Sequence, residues 1–200
     1  LGSEDNIESG KSMTVGFDYE RFNNDKILNF SIGQIINEKK VNKKMPSSSS
    51  LDKRFSDIIG NMNYTNNSNF NLDYDFTLDQ NYKETSFNKI DANFYNENMK
   101  FNIKYLDEEK VASNTEYIAS TLEIKKGNNG LFSLSNKRNL ITNSSEYYDL
   151  SYEYINDCLR AGLVYRREFY DDSELESENS LMFKITLSPF ASLSSPSFNK

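Results

Sequence analysis

The segment FNLDYDFTLD (residues 70–79) decides the fold, because apolar and polar residues alternate along its whole length. Successive side chains of a β-strand point to opposite faces of its sheet. The segment therefore predicts a strand with one apolar face and one polar face. The same alternation occurs in MKFNIKYLD (99–107), YYDLSYEY (147–154) and SLMFKITLS (180–188).

This alternation extends over most of the chain, and no helical periodicity competes with it. We predict an all-β fold, an antiparallel meander of about eleven strands. The predicted strands cover residues 12–22, 26–37, 54–65, 69–79, 85–95, 98–107, 114–126, 130–139, 145–155, 158–170 and 179–189.

The connections between these strands alternate between two kinds. One kind is short and rich in Asn and Gly, which accept the positive φ of tight hairpins. The other kind is longer and charged or Ser-rich, as in 38–53 and 171–178. Outer-membrane barrels have short periplasmic turns and longer external loops, so the pattern favours such a barrel.

Either lipid or the core of a soluble sandwich can cover an apolar face, and alternation alone does not separate the two. Long strands and aromatic residues near the strand ends favour the transmembrane outer-membrane β-barrel. Bacterial single-chain barrels have an even number of strands. A count of about eleven therefore predicts that the chain is part of a larger barrel.

Composition limits the chemistry that the chain can perform. It carries 23 basic and 30 acidic residues, and the net charge of −7 disfavours nucleic acid as a partner. It has no histidine, which removes Ser-His and Cys-His catalysis and histidine metal sites. The single cysteine excludes a disulfide within the chain. We predict no enzymatic activity, cofactor or metal, although paired carboxylates remain available for acid–base chemistry.

The alternation assigns residues to the two faces of the predicted barrel wall. The apolar face of the last predicted strand consists of Leu181, Phe183, Ile185 and Leu187. The polar face, which we expect to line the lumen, includes Asp73, Asp75, Lys100, Lys104, Glu153, Arg160, Arg166 and Lys184.

One hairpin allows a prediction of register. A two-residue turn at Asn156 and Asp157 pairs Ile155 with Cys158. This register places Glu153 opposite Arg160, a charge-complementary pair. It also places Tyr152 opposite Ala161, Leu150 opposite Leu163 and Tyr148 opposite Tyr165.

The end of the chain (147–190) resembles the C-terminal end of the LptD family of lipopolysaccharide-assembly proteins, the organic-solvent-tolerance family of outer-membrane barrels. The shared features are a tyrosine-rich strand, the triplet Asp157-Cys158-Leu159, a strand with Tyr165-Arg166-Arg167, an acidic loop and a final alternating strand. The stretch 13–37 is also similar to barrel strands of this family.

The resemblance implies lipopolysaccharide transport. Family barrels carry a periplasmic domain, hold a plug lipoprotein (LptE in many members), take lipopolysaccharide from periplasmic bridge proteins and release it into the outer leaflet. Release occurs through a lateral opening between the first and last strands. The strand Leu181–Leu187 would then be one lip of this gate. We expect the first strand and the periplasmic domain to lie outside these 200 residues.

The resemblance also gives Cys158 a role. Family cysteines at this position form disulfides with the periplasmic domain, and the second of two adjacent cysteines is replaced here by Leu159. By the alternation of turns, the Asn156–Asp157 turn lies on the periplasmic side, where a thiol tends to be oxidised. The alternative is an inert thiol with no partner.

We thus predict a polar lead-in (1–11), a C-terminal barrel segment (12–190) and a tail (191–200), located in the cell outer membrane with its lipid and lipopolysaccharide as partners. Two other functions stay open. One is a porin-like or receptor barrel of the outer membrane, and the other is a soluble secreted β-sheet binding module. A barrel hydrolase is disfavoured, since its Ser-His pair cannot form here.

Overall fold

The computed structural model describes residues 11–40, 50–51, 53–67, 69–109, 114–169, 178–187, 191–194 and 198–199. The lead-in before Lys11, most of the loop 38–53 and most of the acidic loop 171–178 lie outside these ranges. No helix in the described part of the chain is long and apolar enough to cross a membrane.

The described residues form eleven long strands and two short ones near the C-terminus. They are β1 (Ser12–Asn23), β2 (Lys26–Asn37), β3 (Ile58–Asn66), β4 (Phe70–Leu78), β5 (Thr85–Tyr95), β6 (Met99–Glu108), β7 (Thr115–Lys126), β8 (Gly130–Asn139), β9 (Ser144–Ile155), β10 (Leu159–Glu168), β11 (Glu178–Leu187), β12 (Ala191–Ser194) and β13 (Phe198–Asn199).

Each strand pairs with the next one in sequence, from β1 to β12, and β13 pairs with β11. The predicted antiparallel meander of about eleven long strands is therefore confirmed. The sequence did not predict β12 and β13, which lie in the region expected to be a tail.

The strands belong to two compact units. The first contains β1, β2, nearly all of β3, most of β4 and the first half of β5. The second contains the second half of β5, most of β6, nearly all of β7 and the strands from β8 to β13.

In the first unit, β1 and β2 form an unbroken hairpin in which Ser12 pairs with Asn37 and Asn23 pairs with Lys26. Asn24 closes the turn with a φ of 53°, a conformation that Asn accepts more readily than most residues. The short Asn-rich connection thus forms the tight turn that its composition predicts.

The start of β3 differs from the prediction, which placed it at residue 54 rather than Ile58. The preceding residues instead wrap along the end of β2. Asn37 Nδ2 donates to the carbonyl oxygens of Leu51 (3.1 Å) and Lys53 (2.8 Å). Ser56 N donates to Ile35 O at 2.9 Å. Side-chain hydrogen bonds from buried polar residues hold this segment, which alternation cannot reveal.

The loop between β4 and β5 is organised by one carboxylate. Asp79 Oδ1 accepts a hydrogen bond from the backbone N–H of Lys83 at 2.8 Å. This bond favours the ionised form and lowers the pKa of Asp79 below its ordinary value. The loop is therefore fixed by a side chain at the end of the strand that precedes it.

The predicted register of the β9–β10 hairpin is wrong by two residues. Ile155 pairs with Arg160, and Glu153 pairs with Gly162 rather than with Arg160. The other predicted pairs shift likewise, so that Tyr154 faces Ala161, Tyr152 faces Leu163 and Leu150 faces Tyr165.

The cause of this shift is the side chain of Asn156. Its Oδ1 accepts hydrogen bonds from the backbone N–H groups of Cys158 (3.0 Å) and Leu159 (2.7 Å). Asn156 N also donates to Leu159 O at 2.8 Å. The turn residues are therefore Asp157 and Cys158, one position later than predicted. Because side chains alternate with a period of two, the predicted faces are retained.

Candidate functional site

The apolar face of the second unit is a set of rows that cross neighbouring strands. Tyr152, Leu163 and Phe183 face one another across β9, β10 and β11, and their exposed fractions are 48%, 47% and 47%. Leu150, Tyr165 and Leu181 form the adjacent row and are equally exposed. In the described part of the chain, nearly half of the surface of these side chains stays exposed.

The predicted lip residues lie on this face. Leu181, Phe183 and Ile185 pair with Tyr165, Leu163 and Ala161 of β10. Leu181, Phe183 and Leu187 are exposed, and Ile185 is half-buried. The apolar face of β11 is thus continuous with that of β10.

The first unit also has an exposed apolar face. Met13, Val15 and Phe17 alternate along β1, and all three are exposed. Among the described residues, the buried apolar side chains are those of Ile58 and Ala92. An exposed apolar surface of this extent marks a face that contacts a membrane or a protein partner.

On the polar face, Arg166 forms the best-defined ion pair. Its Nε and Nη2 atoms donate to the two carboxylate oxygens of Asp149 at 2.7 and 2.6 Å. The two residues are directly opposite in the β9–β10 register. Arg166 also contacts Glu168 at 3.3 Å. A two-point contact of this kind fixes the orientation of the guanidinium group as well as its position.

Arg160 and Glu153 also form an ion pair, although they are not opposite each other. Glu153 faces Gly162, and its side chain crosses the glycine to reach Arg160. A Cβ atom at position 162 would lie 2.8 Å from Glu153 Cγ. Lys184 is the β11 partner of Gly162, so these four residues lie in one region of the polar face.

The two aspartates of β4 have partners on the flanking strands of the first unit. Asp73 accepts a hydrogen bond from Asn63 Nδ2, and Asp75 accepts one from Asn61 Nδ2. Lys89 Nζ lies 3.1 Å from Asp75 Oδ2. Each carboxylate is thus satisfied from a neighbouring strand.

The lysines of β6 pair with carboxylates in the second unit. Lys104 Nζ lies 3.3 Å from Asp91 Oδ2, which belongs to β5. Lys100 Nζ lies 3.9 Å from Glu123 Oε2, and Lys100 is more exposed than Arg166, as Glu123 is than Asp149. The contact of Lys100 is therefore the looser one.

The eight predicted polar residues consequently take part in cross-strand contacts, apart from Lys184, which is placed by register alone. Asp73 and Asp75 lie in the first unit and the other six in the second. Among their partners, the sequence identified those of Glu153 and Arg160, which form the predicted ion pair along a diagonal rather than directly opposite. Asp149 was detectable, since it shares a face with Glu153 in the segment 147–154. Asn61, Asn63 and Asp91 depend on register and could not be assigned.

Cys158 lies in the β9–β10 turn and is exposed, with a free thiol. Its backbone N–H is bound by Asn156, as described above. The thiol is therefore held at the end of a hairpin, at a fixed position in the turn, and is accessible to a reaction partner.

Long antiparallel strands with an exposed apolar face and a hydrogen-bonded polar face define the class, a segment of a transmembrane β-barrel. Residues 1–147 match the family model described as "LptD: LPS transport system D". The chain belongs to this family of the outer-membrane lipopolysaccharide (LPS) transport system. No curated protein matches the chain.

The family match and the sequence motif cover different parts of the chain. The match ends at residue 147, where the quoted C-terminal motif begins. The family assignment therefore stands on strands β1 to β8 and the start of β9, where the resemblance seen in the sequence covers the stretch 13–37. The roles proposed for Cys158 and for the last strands do not rest on the family match, because these residues lie beyond it.

A double-mutant cycle on Arg166→Gln and Asp149→Asn tests the strength of the polar-face pairing. We expect a coupling free energy of unfolding of about 1 kcal/mol, because the contact is two-pronged and only partly exposed. The matched control is Lys100→Gln with Glu123→Gln, for which we expect less than about 0.5 kcal/mol. Denaturant unfolding in detergent micelles gives both values, and equal coupling in the two cycles would contradict this assignment.

Proposed function

We propose that this chain is the C-terminal part of an outer-membrane barrel that inserts LPS into the outer leaflet. The single observation that carries the proposal is the two-faced sheet, in a chain of the LPS transport family. Its apolar rows suit contact with lipid, and its paired polar face suits contact with water and sugars.

The chemistry of LPS matches these two surfaces. LPS joins a large sugar headgroup to acyl chains, so its transporter must offer a wet path to the former and a route into lipid to the latter. The polar residues from Asp73 to Lys184 offer hydrogen-bond donors and acceptors with both signs of charge. In this proposal they line the wet path, and β11 forms one lip of the lateral exit.

The partners follow from the same proposal. We expect an LptE-like plug lipoprotein in the lumen, and periplasmic bridge proteins that deliver LPS through an N-terminal domain. A porin-like or receptor barrel would have the same two faces but would not move LPS. A soluble binding module would need its apolar rows buried by protein, whereas their described side chains are 42–48% exposed.

Arginine substitutions on adjacent residues of β11 test which face meets lipid. Phe183→Arg places a charge on the apolar face, which we expect to cost about 2–4 kcal/mol near the bilayer centre. Met182→Arg is the matched control, since the neighbouring side chain points to the polar face. The folded fraction of each variant is measured in isolated outer membranes by its heat-modifiable electrophoretic mobility. An equal loss of folded protein in the two variants would argue against a lipid-facing apolar surface.

Cys158 is proposed to form a disulfide with a cysteine of the periplasmic domain. Its exposure and its place in a tight turn support the assignment. On non-reducing electrophoresis of the full-length protein, we expect a mobility shift that reductant abolishes and that Cys158→Ser removes. An unchanged pattern in Cys158→Ser would show that other cysteines form the bond.

LPS delivery to the cell surface tests the proposed function itself. Depletion of the full-length protein should stop the appearance of new LPS at the surface. Replacement of both Arg166 and Asp149 by Leu should slow delivery at an unchanged level of assembled protein, because it makes the polar face apolar. The swap Arg166→Asp with Asp149→Arg keeps the pair and should preserve delivery. Normal surface LPS after depletion would refute the proposal.

A further inference from the structure

A cavity of about 570 Å³ opens on the polar face of the first unit. Asp18 pairs with Ser31 across the β1–β2 ladder, and Ser31 and Ile35 are an even number of residues apart, so these three lining residues share one face. Asn61 of β3 also lines the cavity, and it donates a hydrogen bond to Asp75, one of the predicted polar-face residues. A concave site of this volume suits a small ligand.

The wall of this cavity is largely apolar, although the face around it is polar. Ile35, Leu51 and Ile59 line it, and Ile59 is 65% exposed. Gly33 also lines the cavity and pairs with Gly16, so neither strand places a side chain at this level of the wall. Within 4 Å, a Cβ atom at position 33 would meet a single backbone oxygen, at 3.8 Å, which is an ordinary contact. The glycine pair therefore leaves room that a larger residue at position 33 would fill.

Buried serine hydroxyls fix the part of the wall that precedes β3. Ser56 Oγ accepts a hydrogen bond from Ile35 N at 2.9 Å. Ser50 Oγ accepts one from Asp57 N at 2.7 Å. The two serines are 2% and 5% exposed, in the order Ser50 and Ser56. Leu51 and Asp57, which line the cavity, are thus held against the end of β2, and the site is pre-formed.

The charge of the cavity is negative. Asp18 and Asp57 line it, and its described lining contains no Lys or Arg. In the described part of the chain neither carboxylate has an ion-pair partner, whereas Asp75 of β4 and Asp149 of β9 each have one. An opposite charge stabilises an ionised carboxylate, so the cavity favours a ligand that carries a positive charge.

We propose that this cavity binds a small amphiphilic ammonium compound, and that its occupation obstructs the wet path for LPS. The apolar body of the ligand packs against Ile35, Leu51 and Ile59, and its cation lies beside the carboxylates of Asp18 and Asp57. Binding itself follows from the cavity alone. The obstruction rests on the proposed function, in which the polar face lines that path.

Probes that share one apolar body and differ in charge test the binding. They are adamantylammonium, neutral adamantanol and adamantanecarboxylate. Each is titrated by calorimetry into the full-length protein in lipid nanodiscs, with empty nanodiscs as the blank. We expect the ammonium to bind about tenfold more tightly than the alcohol, and the carboxylate to bind most weakly. Equal affinities for the ammonium and the carboxylate would overturn the proposal, as would the absence of alcohol binding, which would remove the role of the apolar wall.

Two variants separate the charge from the apolar wall. Asp18→Asn with Asp57→Asn should weaken binding of the ammonium about tenfold and leave that of the alcohol unchanged. Gly33→Leu should abolish binding of both by filling the cavity. The matched control is Asp91→Asn with Glu123→Gln, which removes two negative charges in the second unit and should leave all affinities unchanged. Equal losses in the control and in the Asp18 variant would overturn the proposal, as would full binding by folded Gly33→Leu.

Surface delivery of LPS tests the obstruction. A saturating concentration of adamantylammonium should lower delivery several-fold in cells with the unmodified protein and should not affect cells with Gly33→Leu. Unchanged delivery at saturation, or an equal loss in Gly33→Leu, would overturn the obstruction. Failure of the proposed function is distinguishable, since depletion of the protein would then leave surface LPS intact, whereas probe binding is measured without LPS.

Discussion

Backbone pairing between neighbouring strands is the interaction on which this structure depends. A soluble domain of similar size gains most of its stability from a buried apolar core. Here the buried apolar side chains among the described residues are Ile58 and Ala92. Strand ladders and cross-strand polar contacts must therefore provide the cohesion, and the apolar rows need lipid around them. The same chain in water would expose those rows, so the fold needs a covering for its apolar face.

Backbone pairing between strands also determines the contacts on the polar face. Each charge that projects from a strand lies near residues of the adjacent strands, so a ladder that fixes register also brings opposite charges together. Arg166 meets Asp149 directly across the ladder, whereas Arg160 meets Glu153 along a diagonal. These contacts leave a polar face that carries both signs of charge.

Sequence alone predicted most of the fold, because alternation with a period of two is visible without tertiary information. It located eleven strands within a few residues and assigned their faces. It failed where a side chain bonds to the backbone, as at Asn156, which moves a turn, and at Asn37, which delays β3. It also missed β12 and β13, whose four and two residues are too few to establish a period. Polar residues were recognised individually and the Glu153–Arg160 pair was named, but the other partners depend on register and so could not be named.

Gly162 shows how the absence of a side chain on one strand shapes an ion pair on the polar face. The Glu153 side chain reaches Arg160 only because it passes over a residue without a Cβ atom. A side chain at position 162 would push Glu153 aside and separate the ion pair. Substitutions at positions 153, 160 and 162 are thus coupled, because any side chain at 162 forces Glu153 to move. In related sequences these three positions should change together, as one inherited unit rather than as three independent sites.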